Sequence, residues 1–298
     1  MSKVLTKDIK AVAQYNKLQD YMMLVKFKLT LMVVMSSVLA YVVAAGSGIN
    51  WIVMSLLFVG GFAVSAAANG INQVLEKEYD AMMVRTMTRP LAAGRMKSSE
   101  AVMSSGLMLV FGVICLGLIN PLTAFIGMCS FVLYAFLYTP MKRYSTLSVA
   151  IGAIPGALPV LIGVVAHSGT LTTLGLTLFL VQFLWQFPHF WAIAYLSFED
   201  YSKAGYKLLP LSSDGTLDRN IGAYSALYAL LIVPTVIYGY MAGIDTAMWS
   251  LVLILVATLI YLGFAVRMQI KPSRKTALGL MFSSFFYLPI VLTLYIIG

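Results

Sequence analysis

Asn72, Glu76 and Asp80 stand four residues apart in the run Asn69-Gly-Ile-Asn72-Gln-Val-Leu-Glu76-Lys-Glu78-Tyr-Asp80. On a helix of 3.6 residues per turn, positions i, i+4 and i+8 fall within about 80° of arc and along about 12 Å of axis. Three oxygen-bearing side chains then line one stripe. Carboxylates and an amide carbonyl are hard ligands of the kind Mg²⁺ takes while keeping waters and sharing its sphere with substrate phosphates. Arg85 and Arg89, again four apart, follow together with Thr86 and Pro90. Guanidinium forks match phosphate oxygens bidentately. The chemistry this pattern suits is the binding of a metal and a diphosphate. The competing reading is a helix end solvated by charge, with Glu76, Lys77, Asp80 and Arg85 pairing at the surface. That reading leaves Asn72, Arg89, Thr86 and Pro90 without a role.

The elements that must position these residues are membrane helices. The 298-residue chain is 60% hydrophobic and only 10% charged, far too little charge for the surface of a soluble domain of this size. A stretch of about 20 apolar residues crosses the hydrocarbon core as a helix, and nine are legible: 27–46, 51–74, 100–119, 121–139, 145–166, 172–195, 219–241, 247–267 and 276–297. The short alternating segments of a membrane barrel are absent. The fold class is therefore all-α, a polytopic bundle of nine transmembrane helices. When the chain is threaded alternately, all 20 Lys and Arg residues fall on one side. They include Lys3, Lys7, Lys10, Lys17, Lys26 and Lys28 of the N-terminal arm. The positive-inside rule makes that side cytoplasmic, so the N-terminus is expected inside and the C-terminus outside. This accounts for the net charge of +9 through topology and anionic lipid, without nucleic acid.

One membrane-embedded domain is expected over 1–298, with a cytoplasmic arm at 1–26 and two long inner loops at 75–99 and 196–218. Ten of the 11 acidic residues lie on the inner side, Asp245 being the exception. Long charged loops on one face of a minimal bundle are where function usually sits. The arm is too polar for a signal peptide, so the first span is expected to stay as an anchor. Lys142 and Arg143 follow the fourth span on the same face, as a topology signal or as further diphosphate ligands. Pro155, Pro159, Pro188 and Pro234 fall inside spans, as kinks and packing or as helices opened to line a cavity. His189 lies near the inner end of the sixth span, at a depth where polar residues are costly and often functional. His167 falls in an outer turn and is read as a bystander. Cys115 and Cys129 read as small buried residues.

The pattern Asn72-xxx-Glu76-xxx-Asp80 followed by Arg85-Thr86-xx-Arg89-Pro90 resembles the first aspartate-rich motif of the UbiA superfamily of intramembrane prenyltransferases, with Glu76 at the position of the usual central Asp. Tyr138-Thr-Pro-Met-Lys142-Arg143, Gly152-Ala-Ile-Pro155-Gly-Ala-Leu-Pro159, Trp185-Gln-Phe-Pro188-His189-Phe, Asp200-Tyr201-xx-Ala204-Gly205 and Leu209-Pro210 make the finer likeness one to its haem-farnesylating branch, across residues 20–297. The resemblance implies farnesyl diphosphate and haem b as substrates, Mg²⁺ as cofactor, and haem O and diphosphate as products. It implies a bacterial inner-membrane enzyme whose active site faces the cytoplasm, working alongside haem A synthase or haem-copper oxidase assembly. Asn72, Glu76, Asp80 and Asp200 become the metal ligands, with Glu199 a lesser one, and Arg85, Arg89, Lys142, Arg143 and Lys203 the diphosphate ligands. Asp80, Asp200 and His189 become the catalytic residues, His189 as a partner for haem iron or as a proton handler. The second motif departs from the family pattern: Glu199 and Asp200 are adjacent and position 204 is Ala. Adjacent helical residues point about 100° apart and share no stripe. Tyr138, Trp185, Phe190 and Trp191 are candidates to face an allylic cation.

Three other readings compete. A quinone-precursor aromatic ring could replace haem as acceptor, and charge spacing does not separate the two. A transporter would need polar groups across the bilayer, whereas the outer half is nearly bare. An assembly factor that only binds haem would leave the Asn72-to-Arg89 set without purpose.

Overall fold

The computed structural model describes residues 15–212 and 215–298. Lys3, Lys7 and Lys10 of the N-terminal arm and residues 213–214 of the second inner loop lie outside the described residues. Among the described residues, nine helices are long and apolar enough to cross a membrane. In chain order, a short α1 (Lys17–Leu24) leads into α2 (Phe27–Ala45), α3 (Trp51–Leu75) and, after the four-residue α4 (Lys77–Asp80), α5 (Ser98–Gly117). Then come α6 (Pro121–Met141), α7 (Ser148–Ser168) and α8 (Thr173–Leu196). A six-residue α9 (Phe198–Lys203) precedes α10 (Ile221–Met241), α11 (Met248–Ile270) and α12 (Arg274–Ile297). The nine stretches legible in the sequence are these spans, with ends shifted by a few residues. The order of the spans across the membrane, inside or outside, rests on the charge pattern alone.

The bundle has two groups of helices, α3/α5/α6 and α8/α10/α11/α12, joined by α2 and α7. Helix α7 runs through the middle: 78% of its most apolar window is buried, against 50% or less for every other span. Its small residues are what allow that. Between membrane helices there is little hydrophobic driving force, so close approach of backbones supplies the packing energy. A Cβ at Gly163 would stand 2.0 Å from the Ser37 carbonyl oxygen of α2, one at Gly156 would meet the Gln186 amide of α8, and one at Gly152 would meet the Tyr138 ring of α6.

The prolines of α7 bend no part of it open; the helix is continuous from 148 to 168. Pro159 cannot donate to the Pro155 carbonyl, and the Ser130 hydroxyl of α6 takes that acceptor at 3.3 Å. Gln186 and Gln182 of α8 likewise donate to the carbonyls of Ala153 and Gly156, at 3.0 and 2.8 Å. These prolines therefore serve packing between helices rather than an opened cavity. Helix α6 does change form, since Leu133–Tyr138 is π-helical. The Thr139 N–H reaches back five residues to the Tyr134 carbonyl, and so does its hydroxyl, at 2.9 Å.

Gly163→Ala is expected to destabilise the protein by about 1–3 kcal/mol through overpacking of α7 on α2. Gly106→Ala, in open space on α5, should leave stability unchanged; thermal unfolding of the two variants in detergent checks the contrast.

Candidate active site

The stripe of Asn72, Glu76 and Asp80 forms, although the helix beneath it is interrupted. Helix α3 ends at Leu75 and Glu76 caps it. The Glu76 N–H still bonds the Asn72 carbonyl at 3.0 Å, and the Asp80 N–H bonds the Glu76 carbonyl at 2.8 Å. The four-residue register therefore continues through the junction. All three side chains are buried, Asn72 at 0%, Glu76 at 5% and Asp80 at 1% exposure.

Each of the three carries a cation supplied by a different part of the chain. The Lys26 ammonium donates to Asn72 Oδ1 at 2.8 Å. Lys142 Nζ pairs with Glu76 Oε1. Arg89 Nη1 donates to both Asp80 oxygens, at 2.8 and 2.7 Å. Asn72 passes its own amide hydrogen to Thr139 Oγ1 at 2.9 Å. These are not the surface pairs of a solvated helix end. They are buried, and a buried charge is retained only where a partner repays its desolvation. Formally, three cations face two carboxylates, which leaves one positive charge in excess before Arg85 and Arg143 are counted.

The local electrostatics follow from burial and crowding. Burial would raise the Glu76 carboxyl, yet Lys142 and Lys26 together hold it below its ordinary range. Burial wins at Asp80, whose carboxyl is raised in spite of Arg89. Burial, reinforced by Arg89, pushes the Lys26 amine well down. Burial pulls Lys142 down too, but the Glu76 carboxylate more than reverses it. Lys26 is also the one non-glycine residue with a positive φ, at 47°, among the described residues. That left-handed residue separates α1 from α2 at the point where the amine meets the site.

The second inner loop closes against this cluster. Tyr201 Oη accepts from Arg85 Nη2 at 3.0 Å, and the Lys207 N–H donates to the Lys142 carbonyl at 2.7 Å. Lys142 Nζ lies 4.8 Å from the centre of the Tyr138 ring and 5.4 Å from that of Tyr206. Arg143 lies 4.3 Å from the Tyr79 ring centre. A cavity of about 260 Å³, lined among others by Tyr201 and Tyr206, opens beside the cluster.

The sequence-derived candidates separate into three groups. Asn72, Glu76, Asp80, Arg89 and Lys142 converge, with Arg85 and Arg143 at the rim. Arg85 and Arg89 do not act as a pair, because turns rather than a helix separate them and they reach different partners. Glu199, Asp200 and Lys203 lie on α9, and their side chains make no ion pair or hydrogen bond among the described residues. Tyr201, next to Asp200, is what links α9 to the cluster. His189 packs elsewhere, against α12: its Nδ1 lies 2.7 Å from Ser284 Oγ and its ring stacks on Trp185 at 4.9 Å. Of the four candidate aromatic rings, only Tyr138 borders the cluster. Trp185 donates to the Ser284 carbonyl at 3.0 Å, Phe190 packs on His189, and Trp191 packs on Phe187 and Tyr228. Sequence reasoning missed Lys26, counted there only as a topology signal, and Tyr79, Thr139, Tyr201 and Tyr206. A lysine directly before an apolar span, its ammonium free to fold back to the ionic face, was the available sign for the first.

Residues 33–288 match the model of the UbiA prenyltransferase family. Similar proteins named protoheme IX farnesyltransferase include one from Cytophaga hutchinsonii, 39% identical over 93% of this chain and 96% of that protein. Another, from Christiangramia forsetii, is 37% identical over 94% and 93% of the two chains. In fold, the chain is similar to a digeranylgeranylglyceryl phosphate synthase structure, with a TM-score of 0.78 at 22% identity, covering 95% of this chain and 98% of that one. It is also similar to a UbiA homologue from Archaeoglobus fulgidus bound to GPP and Mg²⁺, with a TM-score of 0.62 at 14% identity over 94% of this chain and 100% of that one. With a family match that spans most of its length and relatives this close along nearly all of it, the chain belongs to the UbiA prenyltransferase family.

Proposed function

We propose that the chain transfers the farnesyl group of farnesyl diphosphate to a vinyl group of haem b, with addition of water, giving haem O and diphosphate. The observation that carries the reading is the buried stripe of Asn72, Glu76 and Asp80, each with its own protein cation, at one end of an apolar bundle. The acceptor follows from the relatives named protoheme IX farnesyltransferase over nearly the whole chain. We assign the site to the cytoplasmic face of a bacterial inner membrane, a reading that the basic loops support through the positive-inside rule. Haem O made there supplies haem A synthase or haem-copper oxidase assembly.

The donor set fits Mg²⁺. It is all oxygen, one amide carbonyl and two carboxylates buried along one stripe. That is the arrangement expected for an ion that keeps waters and shares substrate phosphates. Asn72, Glu76 and Asp80 would hold it, with Asp200, and Glu199 as the lesser donor, contributed by α9. When bound, Mg²⁺ neutralises charge on the diphosphate and supports its departure.

The chain's own groups do the rest. Lys26, Lys142 and Arg89 move from the stripe oxygens to the diphosphate, joined by Arg85, Arg143 and Lys203, and stabilise the charge that grows as the C1–O bond breaks. The bonding electrons leave with the diphosphate, and an allylic cation remains. The tyrosine rings around Lys142 face that cation, and the apolar bundle keeps water from it. The terminal carbon of the haem vinyl group forms the new bond to C1. The adjacent carbon, now cationic, takes a water oxygen, and the added water releases one proton to become the hydroxyl group. His189 serves as a partner for the haem iron or handles that proton; its Nδ1 is engaged by Ser284, which leaves Nε2 for either task.

Incubation of the purified protein with haem b, farnesyl diphosphate and Mg²⁺ without oxygen is expected to give a haem heavier by a farnesyl and a hydroxyl group, read by mass spectrometry. EDTA should abolish it. Diphosphate release with an aromatic acid acceptor instead would keep the family and discard haem. Asp80→Asn is expected to lower kcat/KM by about 100-fold or more while the protein stays folded in the membrane. Lys142→Met leaves Glu76 buried and unpaired, a loss of roughly 3–5 kcal/mol. Adding Glu76→Gln should restore most of that stability without restoring turnover, as thermal unfolding and product assays would show.

A further inference from the structure

We infer that the cavity between the second inner loop and the α6–α7 turn is the acceptor subsite. It receives the vinyl-bearing edge of haem, while the propionates, on the opposite edge of the ring and outside the cavity, extend toward the exposed Lys207 ammonium at its mouth. This rests on the haem reading above and adds where the acceptor sits.

The cavity, about 260 Å³, is walled by Ala194, Phe198, Tyr201, Tyr206, Leu208 and Leu209, with Thr146 and Lys207 also lining it. It is too small to enclose a porphyrin and half open, so it suits one edge of a flat apolar ring. Two of its walls belong to the ionic cluster as well. Tyr201 accepts from Arg85 at 3.0 Å, and the Tyr206 ring faces Lys142 at 5.4 Å. A carbon held here lies beside the place where the diphosphate leaves, as attack on C1 requires.

Charge distinguishes the acceptor from the prenyl tail as occupant. No acidic residue lines the cavity, and the exposed Lys207 ammonium makes no ion pair among the described residues. Its backbone is fixed to the site through the bond to the Lys142 carbonyl. A cavity with a cation on the loop side and no acidic residue in its lining fits an amphiphile with an apolar ring and anionic arms. A farnesyl chain has no use for a cation and belongs among the lipid-facing helices.

Lys207→Glu and Thr146→Trp both alter exposed positions, so neither should disturb folding. Each is expected to raise the KM for haem b about tenfold, roughly 1.4 kcal/mol, with the KM for farnesyl diphosphate unchanged. Titration of haem b followed by its Soret band, without farnesyl diphosphate, should show the same weakening. Haem b dimethyl ester, which lacks the propionate charges, should bind wild type and Lys207→Glu alike. A rise in the KM for farnesyl diphosphate instead would give the cavity to the prenyl donor and overturn the subsite. Unchanged haem binding in both variants would overturn it as well, leaving the haem reading intact. Failure of the wild-type protein to bind haem b would overturn both.

Discussion

Everything at the ionic end of this bundle depends on pairing charge where water is scarce. Asn72, Glu76 and Asp80 are almost completely buried, and an isolated ion there would cost several kcal/mol. Arg89 and Lys142 remove that cost at the two carboxylates, and Lys26 satisfies the Asn72 carbonyl oxygen. The same contacts keep the site assembled before substrate arrives and put phosphate-binding cations within reach of their eventual target. Stability and function therefore draw on one set of side chains. An anion that attracts the cations away must at the same time bring a metal to replace them.

The pairing also explains how distant parts of the chain become one site. Lys26 arrives from the start of the first span, Lys142 from the end of α6 and Arg89 from the loop after α4. Tyr201 and Tyr206 come from the other group of helices and reach the cluster only because α7 lets α2, α6 and α8 approach closely. The long inner loops are held down as well. Arg95 bonds Asp20 Oδ1 at 2.9 Å and the Thr88 carbonyl at 2.8 Å, and Gln73 caps the end of α1 through the Met23 and Leu24 carbonyls. The charged face is thus a packed layer over the bundle.

The spans, the stripe and the family were legible in the sequence because each rests on a local regularity. Hydropathy marks a helix that must satisfy its own backbone in lipid, and a four-residue repeat marks one face. What was not legible depends on distance across the fold. Nothing in the spacing says that Lys142, 66 positions after Glu76, is its partner, or that Arg85 turns to a tyrosine in the opposite loop. Tyr201 was legible only as part of a motif of resemblance and Tyr206 not at all, since neither spacing nor composition shows a ring reaching across to Arg85 or Lys142. His189 was legible as a costly polar residue at depth, but its attachment to Ser284 of α12 was not. Glu199 and Asp200 are adjacent on the short α9 and so point to different sides of it, unlike the four-residue repeat of the first loop.

The π-helical stretch at Leu133–Tyr138 has a bearing on which length changes α6 tolerates. A π turn holds one residue more than an α turn in nearly the same rise, which makes it in effect a single-residue insertion. Everything after it, including Thr139 and Lys142, is rotated by about 100° relative to a regular helix. Removal of one residue from 133–137 would restore an ideal helix and lose no membrane-spanning length of consequence. It would keep Lys142 on Glu76 and Thr139 on Asn72, because the π turn has already absorbed the extra residue; relaxing the stretch to an α-helix at unchanged length is what would turn both away. The phase of α6 is therefore held by an irregularity, and a chain of this fold with a regular α-helix here should be one residue shorter.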